Sequence, residues 1–105
     1  MSKYGLFGRI PSQPEKGDEL EAILLRAGEL MRQAPGCHLY LVARKPEDPV
    51  GVYVYELWDS PADHQASLKL PGVGELIASA RPLIGGPPEQ TILEVKGGTG
   101  YPINP

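Results

Sequence analysis

Glu56, Trp58 and His64 are the residues of this sequence whose types and spacing could do chemistry. Glu56 and Trp58 stand two apart in the run Val52-Tyr53-Val54-Tyr55-Glu56-Leu57-Trp58, which is rich in strand formers. They therefore share one face of a strand. A carboxylate in an apolar setting has its pKa raised by desolvation and can serve as a base. A tryptophan beside it offers a flat wall for an aromatic ligand. His64 falls at the start of the next helical segment, and an imidazole there could take a phenolic proton near neutral pH. His64 and Glu56 are thus the candidate catalytic groups, and Trp58, Tyr40, Val54 and Phe7 the candidate walls of a pocket. Each has a plainer reading. Trp58 could be a core residue, Glu56 could pair with Arg9 or Arg44, and His64 could be an exposed helix residue beside Asp63. Tyr40, Tyr53 and Tyr55 could orient a ligand or simply pack.

Other chemistries find little support. His38 follows Cys37 directly, and adjacent strand residues point to opposite faces, so the two make a poor metal pair. No cluster of His and Cys has ligand spacing, so no metal is expected. Cys37 is the single cysteine, which excludes an intrachain disulfide and reads as a small buried hydrophobe. Gly97-Gly98-Thr99-Gly100 lacks the following helix that a phosphate loop requires.

Ten basic residues against thirteen acidic ones give a net charge of −3, with no basic block, which argues against nucleic-acid binding. No apolar run approaches the ~20 residues of a membrane span. The start does not read as a signal peptide, so a cytoplasmic protein is expected. A length of 105 residues suits one domain with one core. That domain is expected over residues 1–98, with an irregular tail at 99–105.

The elements that must position these residues are short and bounded by proline and glycine. Tyr4 to Ile10 reads as a strand ending at Pro11. Asp18, with Glu21 three residues on, predicts a capped helix start. Leu20, Ile23, Leu24, Ala27, Leu30, Met31 and Ala34 then form one buried stripe, stopped by Pro35-Gly36. Cys37 to Lys45 and Gly51 to Trp58 predict an antiparallel hairpin. Ser60-Pro61-Ala62-Asp63 opens a short helix that breaks at Pro71-Gly72. Val73, Leu76, Ile77 and Ala80 continue at helical spacing, and Gln90 to Lys96 is the last strand.

This order, β-α-β-β-α-β, is that of the ferredoxin-like α+β fold, with a four-stranded antiparallel sheet and its helices on one face. The third strand carries Val52, Val54, Glu56 and Trp58 on one side and Tyr53, Tyr55 and Leu57 on the other. Both sides are largely apolar, and helices can cover only one. A homodimer joined through its sheet faces is the expected second cover, and the Val54, Glu56 and Trp58 face is read as the one turned toward the partner.

Ala34-Pro35-Gly36-Cys37 followed by Leu39-Tyr40 resembles the "EPGCxxY" segment of the antibiotic biosynthesis monooxygenase family. Tyr55-Glu56-Leu57-Trp58-Asp59-Ser60 resembles that family's "ExWxS" strand end. His64-Gln65-Ala66-Ser67-Leu68, Pro71-Gly72-Val73 and Ala80-Arg81-Pro82-Leu83-Ile84 are similar to a bacterial branch of it. The similarity runs from about Tyr4 to Gly98. It implies a dimeric α+β barrel and, from its characterised members, oxygenases of quinols and polyketide anthrones that need no cofactor. Many members place their helix histidine two or three positions later, where this chain has Ala66 and Ser67. Heme-degrading relatives use an asparagine on strand one, and this strand has none. The expectation is a cofactor-independent monooxygenase that oxidises a small hydroquinone or polycyclic phenol with O₂. The alternative is a non-catalytic dimeric module that binds an aromatic metabolite.

Overall fold

The computed structural model describes residues 2–99. Residues 100–105 of the expected tail lie outside the described residues. Four strands, β1 (Lys3–Pro11), β2 (Cys37–Arg44), β3 (Gly51–Trp58) and β4 (Glu89–Val95), form one sheet in the order β2-β3-β1-β4. Every neighbouring pair is antiparallel. Between them lie α1 (Gly17–Leu30), α2 (Pro61–Ser67) and α3 (Val73–Ala80). The architecture is the ferredoxin-like α+β arrangement that the order of elements predicts.

The stripe of α1 does what its spacing requires. Leu20 and Met31 are buried, and a single 3₁₀ turn, Met31–Gln33, carries the chain on to buried Ala34. The start of the helix differs from the expected capping box. The helix begins at Gly17, so Asp18 falls in its first turn, where a carboxylate still favours the helix dipole. Arg44 of β2 donates to Asp18 Oδ1 at 3.1 Å and to Glu21 Oε1 at 3.0 Å. It thereby clamps α1 to the sheet. Gly36 stops this segment with φ +82, where a Cβ would run into Asp63 of α2. Ser60 caps α2 as expected, its Oγ accepting from Asp63 N–H at 3.2 Å.

Register decides the two faces of the sheet. One row across it runs Tyr40, Glu56, Leu6, Ile92, and the next, on the opposite face, runs Leu41, Tyr55, Phe7, Thr91. The face carrying Leu6, Val52, Val54 and Trp58 is buried beneath the helices. Trp58 packs there with Met31, Ala34 and Val73, and Tyr4, Leu30 and Tyr40 close around them. This corrects the expectation that the Glu56 and Trp58 face turns toward a partner: the chain's own helices cover it. The other face is the open one. Leu41 is 52 % exposed, Phe7 45 % and Leu93 41 %. Edge strand β4 is covered on neither side until Val95.

Candidate active site

The helices do not seal the sheet completely. A cavity of about 130 Å³ remains between α1, α3 and the floor of the sheet. Tyr40 and Glu56 form its floor, His64 and Ser67 one wall, and aliphatic side chains such as Leu24, Ala27, Leu76 and Ile77 its roof. Polar groups therefore converge at one end of an apolar chamber, the usual pattern of a small-molecule site.

Glu56 is largely buried in this floor. Burial pushes its carboxyl pKa up, while the Trp58 indole N–H and the His64 ring pull it back less strongly. Trp58 Nε1 donates to Glu56 Oε1 at 3.0 Å. His64 Nε2 stands 3.7 Å from the same oxygen, beyond a hydrogen bond but well within electrostatic reach. The His64 ring meets Trp58 edge-on at 5.5 Å, and Tyr4 lies at 6.1 Å on another side. Ser67 Oγ donates to the His64 carbonyl at 2.6 Å and so fixes the turn of α2 that presents the ring. His64 Nδ1 is buried with no hydrogen-bond partner among the described residues. A buried polar atom without a partner is uncommon in a folded protein, and Arg44 Nε is in the same condition. Tyr40 stays a neutral donor, because burial first, and the charge of Glu56 second, push its phenol pKa well above the usual range. Its hydroxyl has no hydrogen-bond partner among the described residues either.

Glu56, His64 and Tyr40 thus come together, and three other expected site residues stand elsewhere. Trp58 is not a wall of the cavity: it is fully buried, and it acts on the site through its N–H to Glu56. Val54 shares the helix-covered face but lines a neighbouring chamber. Phe7 lies on the open face, its ring 6.3 Å from Tyr53 and 6.4 Å from Tyr55, because strand alternation turns it away from Leu6 and Gly8. The plainer pairing of Glu56 with an arginine does not occur either. Arg9 donates to Asp48 at 2.7 and 3.0 Å, and Arg44 is engaged by α1. Cys37 packs against the core, and burial pushes its thiol pKa up. His38 lies at the irregularity in β2 and meets Asp59 Oδ1 at 2.6 Å. Among the described residues no group of three His, Cys, Asp or Glu converges as a metal site would need. No helix among them is long and apolar enough to cross a membrane.

The roof residues Ala27 and Ala80 and the anchor Ser67 were not singled out from the sequence as site residues. The apolar stripes of α1 and α3 contain the signal for the roof, since both must face the sheet.

The fold and site define a small ferredoxin-like α+β protein with an apolar pocket over a buried carboxylate. The sequence pattern of the antibiotic biosynthesis monooxygenase family matches residues 4–79. A solved structure from Chloroflexus aurantiacus J-10-fl, named for that family, is 40% identical, with 94% of this chain and 100% of that chain covered at a TM-score of 0.78. One from Caulobacter crescentus CB15 is 22% identical, with 91% and 92% covered and a TM-score of 0.82. Another from Nitrosomonas europaea is 14% identical, with 94% and 93% covered and a TM-score of 0.83. These last two show the fold alone. No curated protein matches the sequence. The chain belongs to the antibiotic biosynthesis monooxygenase family.

Proposed function

We propose that this chain oxidises a small hydroquinone or polycyclic phenol with O₂, without a cofactor, and works as a homodimer. The observation that carries the reading is the buried Glu56, held by the Trp58 N–H and faced by His64 at the polar end of an apolar cavity. Such a site can take a phenolic proton and exclude water while the ring reacts. The substrate's hydroxyl sits between Glu56 and His64 and accepts a hydrogen bond from Tyr40. Its proton passes to the pair, leaving an electron-rich phenolate. That phenolate transfers an electron to O₂, and the two radicals join at a ring carbon. One oxygen atom stays on that carbon and the other leaves as water. The hydroquinone becomes a hydroxyquinone and supplies all four electrons.

The homodimer is supported by the open face of the sheet. Phe7, Leu41 and Leu93 are exposed there beside Tyr53 and Tyr55, and a run of apolar side chains across one open sheet face is the kind of surface that marks an interface. A second copy covers it with the same surface.

Oxygen uptake with menadiol, with the protein-free rate subtracted, tests the activity. His64→Ala is expected to lower turnover by about 10²-fold or more, the usual weight of general acid–base help. Uptake no faster than without protein would refute the reading and leave a binding module in its place.

A further inference from the structure

The face of the sheet that carries Glu56 holds a second chamber, of about 230 Å³, at its β4 side where no helix lines it, and Glu56 lines both. Its floor is Leu6, Gly8, Ile10 and Val54, and its outer wall is the start of β4 with Pro88, Glu89 and Gln90. The two chambers lie on opposite sides of Glu56. Tyr40 flanks this carboxylate toward the first, and Leu6 flanks it toward the second. Gly8 is what leaves the second chamber open, since it is the one position in the row Val42, Val54, Gly8, Gln90 without a side chain. A Cβ there would come 3.0 Å from the Glu89 carbonyl oxygen.

Size gives the chambers different tasks. An apolar cavity of about 150 Å³ holds a benzene-sized ring. The first chamber, at about 130 Å³, takes one ring and little more. The rest of a larger substrate has to lie elsewhere, and the second chamber has the same carboxylate in its lining. Chemistry separates them as well. The first is roofed by aliphatic side chains, whereas the second adds the Gln90 amide and the Glu89 backbone to its apolar floor. We propose that the substrate straddles Glu56, with its phenolic ring under α1 and α3 and a hydroxyl-bearing substituent lying over Gly8 against Gln90. The proposal rests on the reading of Glu56 as the group that meets the substrate's reacting hydroxyl. It adds a rule of shape. Because that hydroxyl meets Glu56, the residue the two chambers share, the substituent has to be attached next to it on the ring, in the ortho position.

Two redox-stable isomers isolate this rule: 2-(2-hydroxyethyl)phenol and 4-(2-hydroxyethyl)phenol. Both carry the same groups on the same ring, and the ratio of their dissociation constants is measured by calorimetric or NMR titration, with the shift in that ratio between wild type and variants cancelling the difference in their solvation. The ortho isomer is expected to bind about tenfold more tightly, the worth of one hydrogen bond retained in a partly closed site. Gln90→Leu, on an exposed edge strand, is expected to bring the ratio close to one, and so is Gly8→Ala. If Gly8→Ala fails to fold, Gln90→Leu still reads the ratio. Equal binding of the isomers, tighter binding of the para isomer, a ratio unmoved by Gln90→Leu, or binding of neither isomer would overturn the proposal. An intact ratio in a protein that does not consume O₂ with menadiol would uphold the two-chamber site and remove the oxygenase reading.

Discussion

Replacing Trp58 by Phe tests whether Glu56 is the working base and whether the indole sets its readiness. The change keeps an aromatic ring in the core beside Met31, Ala34 and Val73 and deletes the N–H that reaches Glu56 Oε1 at 3.0 Å. A base must be ionised to accept a proton, and this N–H stabilises the ionised form. Burial already holds the carboxyl above its ordinary pKa, so losing the donor moves it further up. A hydrogen bond to a charged group contributes about 1.5–3 kcal/mol, and about 1.4 kcal/mol corresponds to one pH unit. The acid limb of the pH–rate profile is therefore expected to move to higher pH by about one unit or somewhat more. The assay is kcat/KM for menadiol-dependent oxygen uptake across the acid range, with far-ultraviolet circular dichroism to confirm the fold. A ¹³C NMR titration of the Glu56 carboxyl reads the same displacement without turnover. An acid limb that stays in place in a folded Trp58→Phe protein would refute the reasoning, because the indole would then have no hold on the group that titrates.

Two further outcomes follow from the same structure. The Glu56 carboxyl has a higher pKa folded than unfolded, so its ionisation favours the unfolded chain. The stability associated with its protonated form is present below the ordinary carboxylate range and lost as pH rises through the folded-state value. Calorimetry is expected to show Glu56→Gln gaining in Tm over the wild type as pH is raised from 4 to 7, and a gap that stays constant or narrows would contradict this assignment of burial as the dominant cause. Leu41→Lys places a charge on the open face of the sheet, and leaving it unpaired in a dry interface costs several kcal/mol. Light scattering at micromolar concentration is expected to give twice the 11.3 kDa protomer mass for the wild type and a single protomer for the variant.

The order and kind of the elements were legible because each is locally consistent: proline and glycine bound them, and α1 and α3 carry helical stripes. The identity of the covered face was not. In β3 the sets Val52, Val54, Trp58 and Tyr53, Tyr55, Leu57 are equally suited to burial, so alternation alone cannot say which one the helices take. That ambiguity carried Phe7 to a pocket it does not line, whereas Val54, on the covered face, lines the chamber beside Gly8 and not the one under α1 and α3. Glu56 and His64 could be brought together from sequence because a two-residue connection joins their elements. Their insulation from arginine could not. It depends on Asp48 in the β2–β3 turn capturing Arg9, and on Asp18 and Glu21 capturing Arg44, contacts between residues distant in the chain. Trp58 shows the limit of reasoning from residue type: a large aromatic suits a ligand wall and a core equally well, and only the packing of Met31 and Val73 over it decides.

The break at Pro71-Gly72 separates two kinds of work along the chain. Gly72 adopts φ +90, and a Cβ there would press on Leu30 at 3.3 Å, so the bend between α2 and α3 is fixed by a residue without a side chain. Before the bend stand the groups joined by polar contacts at the end of the cavity, Glu56 and Trp58 on β3 and His64 on α2. After it stands α3, whose Leu76, Ile77 and Ala80 complete the roof begun by α1 and make none of those polar contacts. Variation can therefore reshape the roof one residue at a time while the polar contacts beneath it are kept. A lineage built on this plan can change the shape of the pocket by editing Leu76, Ile77 and Ala80 of α3, while Val73 at the start of that helix stays tied to the core around Trp58.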